Sequence, residues 1–220
     1  KGNTIEVGMP LREEFIHSKY TKKEAKLHFG LNPDLPTLLI FGGSQGAQII
    51  NTSVCEAINQ VQHIRTKQHL SPLQVIHLTG KSDSIEHIKK FYSEHHTPAL
   101  VKSFETQMSI AWQAADIVIS RSGAGTIAEE LEFEVPGILI PFAAAADNHQ
   151  EHNANFMVKQ GGGASLLLES QLTVQSLTDA IKDLLSEDRL AIMRQAMHNY
   201  KQTARTRDLC SVAKEVINKK

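Results

Sequence analysis

Cysteine is nearly absent from this 220-residue chain; only Cys55 and Cys210 occur. They sit on separate helical patterns without metal-ligand spacing, which excludes a disulfide scaffold and a cysteine-based zinc site and reads as two reduced thiols. Charge of one sign is also missing. The formal net charge is −1, so no overall field favours nucleic acid or an anionic membrane. No long apolar run is present either. The longest, residues 135–146, contains Pro136 and Pro141 and is too short to span a bilayer. Signal peptide, internal repeat and low-complexity tract are all lacking. The chain starts on Lys1-Gly2 rather than on methionine and is expected to be a piece of a longer protein. What remains, 41% apolar and 21% charged residues, is the composition of one soluble globular domain.

Short apolar runs alternate with helical patterns. Strands are expected at 37–41, 74–78, 99–102, 116–120, 137–140 and 164–168. Between them, Ala47, Ile50, Val54, Ala57, Ile58 and Val61 recur at helical spacing, as do Ile85, Ile88 and Phe91, then Met108, Ala111 and Ala115, then Ile127 and Leu131. Short apolar strands alternating with helices predict an α/β fold, a Rossmann-like doubly wound parallel sheet with ligands outside the carboxyl ends of its strands. After residue 168 the pattern is helical, ending in an amphipathic stretch over 206–218. The expected organisation is an interdomain linker end over 1–12, a Rossmann-like domain over 13–200, and a C-terminal helical segment over 201–220 that begins with a polar joint at 201–207 and docks elsewhere.

Two glycine-rich turns each follow a strand and open a helix: Phe41-Gly42-Gly43-Ser44-Gln45-Gly46-Ala47 and Ser120-Arg121-Ser122-Gly123-Ala124-Gly125-Thr126. Glycine lets the backbone take positive φ and approach a ligand closely, and a helix N-terminus behind it offers free N–H groups to an anion. Two such turns in one sheet suggest a phosphate held between them. The first turn fails the dinucleotide fingerprint, because Phe41 stands at its first glycine, and fails the Walker A loop, because Ala47-Gln48 replaces Lys-Ser/Thr. It does satisfy the G-x-S-x-G elbow of serine hydrolases. That reading needs its acid and histidine on separate loops, whereas Asp147, His149 and His152 fall in one helical pattern, and it leaves the second turn unexplained.

Glu129 and Glu130 follow the second turn. An acidic residue there either accepts the hydroxyls of a nucleotide ribose or complements the helix dipole. Arg121 reads equally as a phosphate contact or an ion-pair partner. Downstream, Pro141-Phe142-Ala143-Ala144-Ala145-Ala146-Asp147-Asn148-His149-Gln150-Glu151-His152-Asn153-Ala154 is a small-residue loop feeding a helix that Asp147 or Asn148 caps. Its amide and carboxylate groups suit sugar hydroxyls, which need donors and acceptors together. A metal site from His149 and His152 lacks further clustered ligands.

Together these segments resemble the MurG family of peptidoglycan N-acetylglucosaminyltransferases, aligned to that family's C-terminal half. The resemblance rests on Gly8-Met9-Pro10-Leu11-Arg12, on Gly42 to Ala47 followed by Asn51, on Arg121 to Glu129, and on Asp147 to Ala154. It implies the donor-binding domain of a GT-B glycosyltransferase, transferring GlcNAc from UDP-GlcNAc to a lipid-linked muramyl-pentapeptide. By resemblance, Gly43, Ser44 and Gln45, with Arg12, face the diphosphate; the backbone around Phe104 and Glu105 holds the uracil. Ala124, Gly125 and Thr126 offer phosphate contacts, Glu129 binds the ribose, and Gln150 and Glu151 bond the GlcNAc hydroxyls. The sequence departs from the family at Met9, where asparagine is usual, at Glu134, where glycine usually precedes Val-Pro, and at Ala143, Ala144 and Glu151.

The resemblance further implies no metal, no cofactor and no nucleic-acid partner. The catalytic base and acceptor loops belong to the family's N-terminal half, so no catalytic residue is expected in this piece, which binds UDP or UDP-GlcNAc weakly and turns nothing over. The parent is expected in the bacterial cytoplasm, peripheral on the inner face of the plasma membrane. A UDP-GlcNAc 2-epimerase-like enzyme and a noncatalytic nucleotide-sugar sensor are the alternatives.

Overall fold

The computed structural model describes residues 7–16, 19–43, 47–81, 85–204 and 209–218. Six strands, β1 (Thr37–Phe41), β2 (Gln74–Leu78), β3 (Ala99–Lys102), β4 (Ile117–Ser120), β5 (Gly137–Leu139) and β6 (Ala164–Leu166), form one sheet in the order β3-β2-β1-β4-β5-β6. Every neighbouring pair is parallel. Three strands match the expected bounds, and β4, β5 and β6 are one or two residues shorter. At β4 the reason is local. Asp116 turns its carboxylate to Lys22 (2.8 Å), Lys26 (2.7 Å) and the Thr37 amide (2.9 Å), a knot at the end of the sheet remote from the strands' carboxyl ends.

Successive side chains of a strand point to opposite faces, and the sheet is covered on both. Leu38 and Ile40 pack under α3 (Gln48–Lys67), α4 (Ile85–Glu94) and α8 (Val174–Leu184); Leu39 packs with Val118, Trp112 and Phe15 under α1 (Glu13–Ile16), α2 (Lys22–His28) and α5 (Met108–Ala114). A third cluster, with Ile127, Ala154, Met157 and Met197, joins α6 (Ala124–Phe133), α7 (His149–Phe156) and α9 (Glu187–Thr203) to β5 and β6. The last helix, α10, spans Leu209–Asn218, while residues 206–208 of the expected 206–218 stretch lie outside the described residues. The polar joint expected over 201–207 is helical through Thr203. Cys55 is buried, and burial pushes its thiol up to about 11, so it is inert; the side chain of Cys210 is outside those described.

Two glutamates on α6 and its end carry strain. Glu134 ends the helix with φ +52°, the left-handed cap that glycine takes most cheaply. Glu130 is fully buried, and neither carboxylate oxygen has a partner. Burial drives its carboxyl well above the ordinary carboxylate range. A carboxyl shifted upward on folding stabilises only below its unfolded range, and that contribution is lost as pH rises. Glu130→Gln is therefore expected to unfold at the same temperature as the parent chain near pH 4.5 and several degrees higher at pH 8. Thermal unfolding of both proteins across that pH range measures the difference, and a gap that does not widen with pH contradicts a buried neutral carboxyl.

Candidate functional site

In this sheet the strand order reverses between β1 and β4, and an open α/β sheet binds its ligand at such a switch point, beyond the strands' carboxyl ends. A cleft of about 390 Å³ opens there. Phe41 and Gly43 line it from the end of β1, Leu78 and Gly80 from the end of β2, Ser103, Phe104 and Glu105 after β3, Met108 from α5, and Gly123, Gly125, Thr126 and Glu129 from α6 and the turn before it. A wider groove of about 530 Å³ lies beside α1 and α5. It is lined by Glu13 and Glu14 with a single lysine, Lys19, which suits a diphosphate poorly. The smaller cleft is the candidate site.

Both glycine turns reach it. Gly43 takes φ +89°, and a Cβ on Gly42 would collide with Ala47 at the start of α3. Among the described residues, no side chain caps the N-terminus of α3 or α6. By contrast α2 and α8, away from the cleft, carry complete capping boxes from Thr21 and Thr173. Each uncapped N-terminus presents unpaired N–H groups and the positive end of a helix dipole. Such helix starts favour negative charge near them.

Glu129 is the acidic group of this cleft with a defined orientation. One carboxylate oxygen accepts from Trp112 Nε1 at 2.7 Å; the other has no hydrogen-bond partner among the described residues. Burial raises its carboxyl above the ordinary value, while the indole bond and the nearby charge of Arg12 oppose the rise. Trp112 is itself fixed between Phe41 and Phe133, with ring centroids at 5.6 and 6.4 Å. Glu105 is differently employed. Its carboxylate accepts from the Gln107 amide and pairs with Lys102, both at 2.8 Å, and those two contacts outweigh burial and hold it below its usual range. Its side chain thus shapes the loop, leaving the backbone and Phe104, 47% exposed, at the mouth.

The α3 side of the cleft hangs on a buried polar chain. Asn51 donates through Nδ2 to the Thr79 carbonyl (3.0 Å), next to Gly80, and its Oδ1 lies 3.1 Å from His77 Nε2. Since that amide oxygen only accepts, Nε2 carries the proton, and Nδ1 accepts from the Tyr92 hydroxyl at 3.0 Å. His77 is completely buried, and burial lowers its imidazole to about 3. It is neutral at physiological pH.

Of the sequence-predicted residues, the cleft gathers Gly43, Phe104, Glu105, Gly125, Thr126 and Glu129. Ser44 and Gln45 lie outside the described residues. Ala124 opens α6 as an exposed residue, and Arg12 folds over Phe15 (4.8 Å) and pairs with Glu14 at 3.0 Å rather than lining the cleft. Gln150 and Glu151 are next door. Glu151 lines a hollow of about 160 Å³ with Phe142, Ala143, Asn148 and Glu169, and the Gln150 carbonyl accepts from Ser122 at 2.7 Å. Asn148 occupies the cap position of α7, with φ +52° and no side-chain capping bond, so neither it nor Asp147 caps that helix as expected. Arg121, undecided from sequence, is an ion-pair partner: it bonds Glu169 at 2.5 Å. Trp112, His77, Tyr92 and Glu169 were not visible as site residues. Nothing in a local pattern marks them, because each acts across the fold.

Residues 37–209 match the family described as Glycosyltransferase family 28 C-terminal domain. The chain is 42% identical over 212 residues to the UDP-N-acetylglucosamine--N-acetylmuramyl-(pentapeptide) pyrophosphoryl-undecaprenol N-acetylglucosamine transferase of Protochlamydia amoebophila, covering 96% of this chain and 54% of that protein. To the protein of that name from Aquifex aeolicus it is 38% identical over 181 residues, 82% of this chain and 48% of the relative. The chain thus spans about half the length of the curated relatives it matches. Among solved structures it superposes on Acinetobacter baumannii MurG with a TM-score of 0.72 at 23% identity, over 96% of this chain and 58% of that one. It also shares the fold of the glycosyltransferase VinC, solved with DTDP, at a TM-score of 0.60 and 16% identity, over 87% of this chain and 43% of that one.

Proposed function

Because the chain belongs to the glycosyltransferase family 28 C-terminal domain family, we propose that it is the part of a MurG-type transferase that binds the donor, UDP-GlcNAc. The observation that supports this is that both glycine turns, through Gly43 after β1 and Gly123 and Gly125 after β4, line one cleft at the switch point together with Glu129. The diphosphate lies between the two glycine turns, and the ribose hydroxyls meet Glu129. The uracil lies against the backbone of Ser103 to Glu105, and the sugar extends toward Gln150 and Glu151. Ser44, Gln45 and Arg12 complete the diphosphate side.

The chemistry is displacement at the anomeric carbon, with UDP leaving and a hydroxyl of the lipid-linked muramyl-pentapeptide attacking. Negative charge grows on the departing diphosphate. Preorganised N–H donors at the two helix starts stabilise it, and groups of this kind are each worth about 3–4 kcal/mol in an active site. The base and the acceptor site are supplied by the remainder of the relatives' length, so this chain alone binds donor and transfers nothing. No described helix is long and apolar enough to cross a membrane; we assign the parent to the cytoplasm, peripheral on the inner face of the plasma membrane, with α10 docking on the other half.

Calorimetric titration with UDP, UDP-GlcNAc and UDP-GalNAc tests the assignment. UDP and UDP-GlcNAc are expected to bind, UDP-GalNAc more weakly. Absence of UDP binding, or GlcNAc transfer by this chain alone, overturns it.

A further inference from the structure

The loop after β5 carries four consecutive alanines, Ala143 to Ala146, and has no polar side chains there with which to hold itself. Its backbone is held from outside. Arg121 Nη1 donates to the carbonyls of Ile140 (3.1 Å) and Pro141 (3.0 Å); the amide of Phe142 donates to Gln150 Oε1 (3.0 Å), and that of Ala143 to Glu169 Oε2 (3.0 Å). Glu169 closes the frame through its other oxygen, on Arg121 Nη2 at 2.5 Å. Four successive residues are thus gripped by side chains from three separate segments. The two charged partners are 11% and 17% exposed, where an ion pair holds its geometry better than at the open surface. Arg121 stands two residues before Gly123 of the cleft, and the framed loop forms one wall of the 160 Å³ hollow that Glu151 and Asn148 share.

We propose that Glu169 is a positioning residue for the sugar, fixing the loop at residues 142–146 against Arg121 so that the hollow beside the phosphate turn keeps the shape of a pyranose. The inference rests on the UDP-sugar reading of the neighbouring cleft. Glu169 lines that hollow but not the neighbouring cleft, so its effect is confined to the sugar.

UDP and UDP-GlcNAc are titrated into the parent chain, Glu169→Ala and Glu169→Gln, with amide hydrogen exchange at Ala143 followed in all three without ligand. In Glu169→Ala, UDP affinity stays within about twofold while UDP-GlcNAc weakens about tenfold, and Ala143 loses protection while Thr126 keeps it. Glu169→Gln retains an acceptor for the Ala143 amide and recovers part of both effects. Equal losses for the two ligands, or unchanged UDP-GlcNAc affinity, overturn the sugar role; full protection of Ala143 in Glu169→Ala overturns the clamp. Failure of the parent chain to bind UDP is a different result, since it overturns the donor reading while the exchange data still decide the clamp.

Discussion

Replacing Glu129 with alanine is expected to weaken UDP binding about 10- to 100-fold, the loss of one or two charge-assisted hydrogen bonds at a partly buried site. The carboxylate is aimed rather than loose. Trp112 Nε1 holds one oxygen at 2.7 Å, and Trp112 is locked by Phe41 and Phe133, so little side-chain entropy remains to be lost on binding. The ribose role makes a sharper demand. The parent chain should prefer UDP to 2′-deoxy-UDP, and Glu129→Ala should bind the two alike. Removing the carboxylate also leaves the buried indole N–H unpaired, a cost of about 1–3 kcal/mol in stability, so thermal unfolding accompanies the titration. Equal UDP affinity in variant and parent would remove the ribose assignment.

Replacing His77 with alanine is expected to cost about 3–5 kcal/mol of stability near pH 7.5. The imidazole fills a site with no exposure and bridges Asn51 to Tyr92; its loss leaves the Asn51 amide oxygen unpaired, takes one partner from the Tyr92 hydroxyl and opens a void between β2 and α3. The pH dependence separates this network from simple packing. Folding lowers the imidazole from about 6.5 to about 3, so its contribution is complete above pH 6.5 and is lost as pH falls toward 3. In unfolding experiments the gap between parent and His77→Ala therefore narrows on acidification, by an amount on the order of 1.4 kcal/mol per pH unit at most. A gap that stays constant from pH 7.5 to 4.5 contradicts a buried neutral histidine. Because Asn51 ties α3 to the Thr79 carbonyl beside Gly80, the variant should also bind UDP more weakly.

Much of this architecture is legible locally. Strands such as Thr37–Phe41 are runs of buried apolar residues flanked by turns, and a fully covered parallel sheet requires that pattern. The glycine turns are legible for the same reason: positive φ at Gly43 and the tight approach of Gly42 to Ala47 admit little else. The cap of α7 was not legible, because Asn148 enters the helix from a left-handed conformation that its side chain does not reveal. Nor was the fate of Arg121, whose partner Glu169 is 48 residues away in the chain.

The sequence by itself determined the fold class, the order of elements and the two glycine turns, since each follows from hydrophobic period and backbone freedom within a few residues. Only the tertiary structure decided which polar side chains are free for a ligand and which are spent on the scaffold. Glu129 and Glu130 are neighbours on one helix, yet one is aimed by Trp112 at the cleft and the other is buried without a partner. Helical geometry turns adjacent side chains about 100° apart. Chain separation, not local pattern, then selects what each one meets.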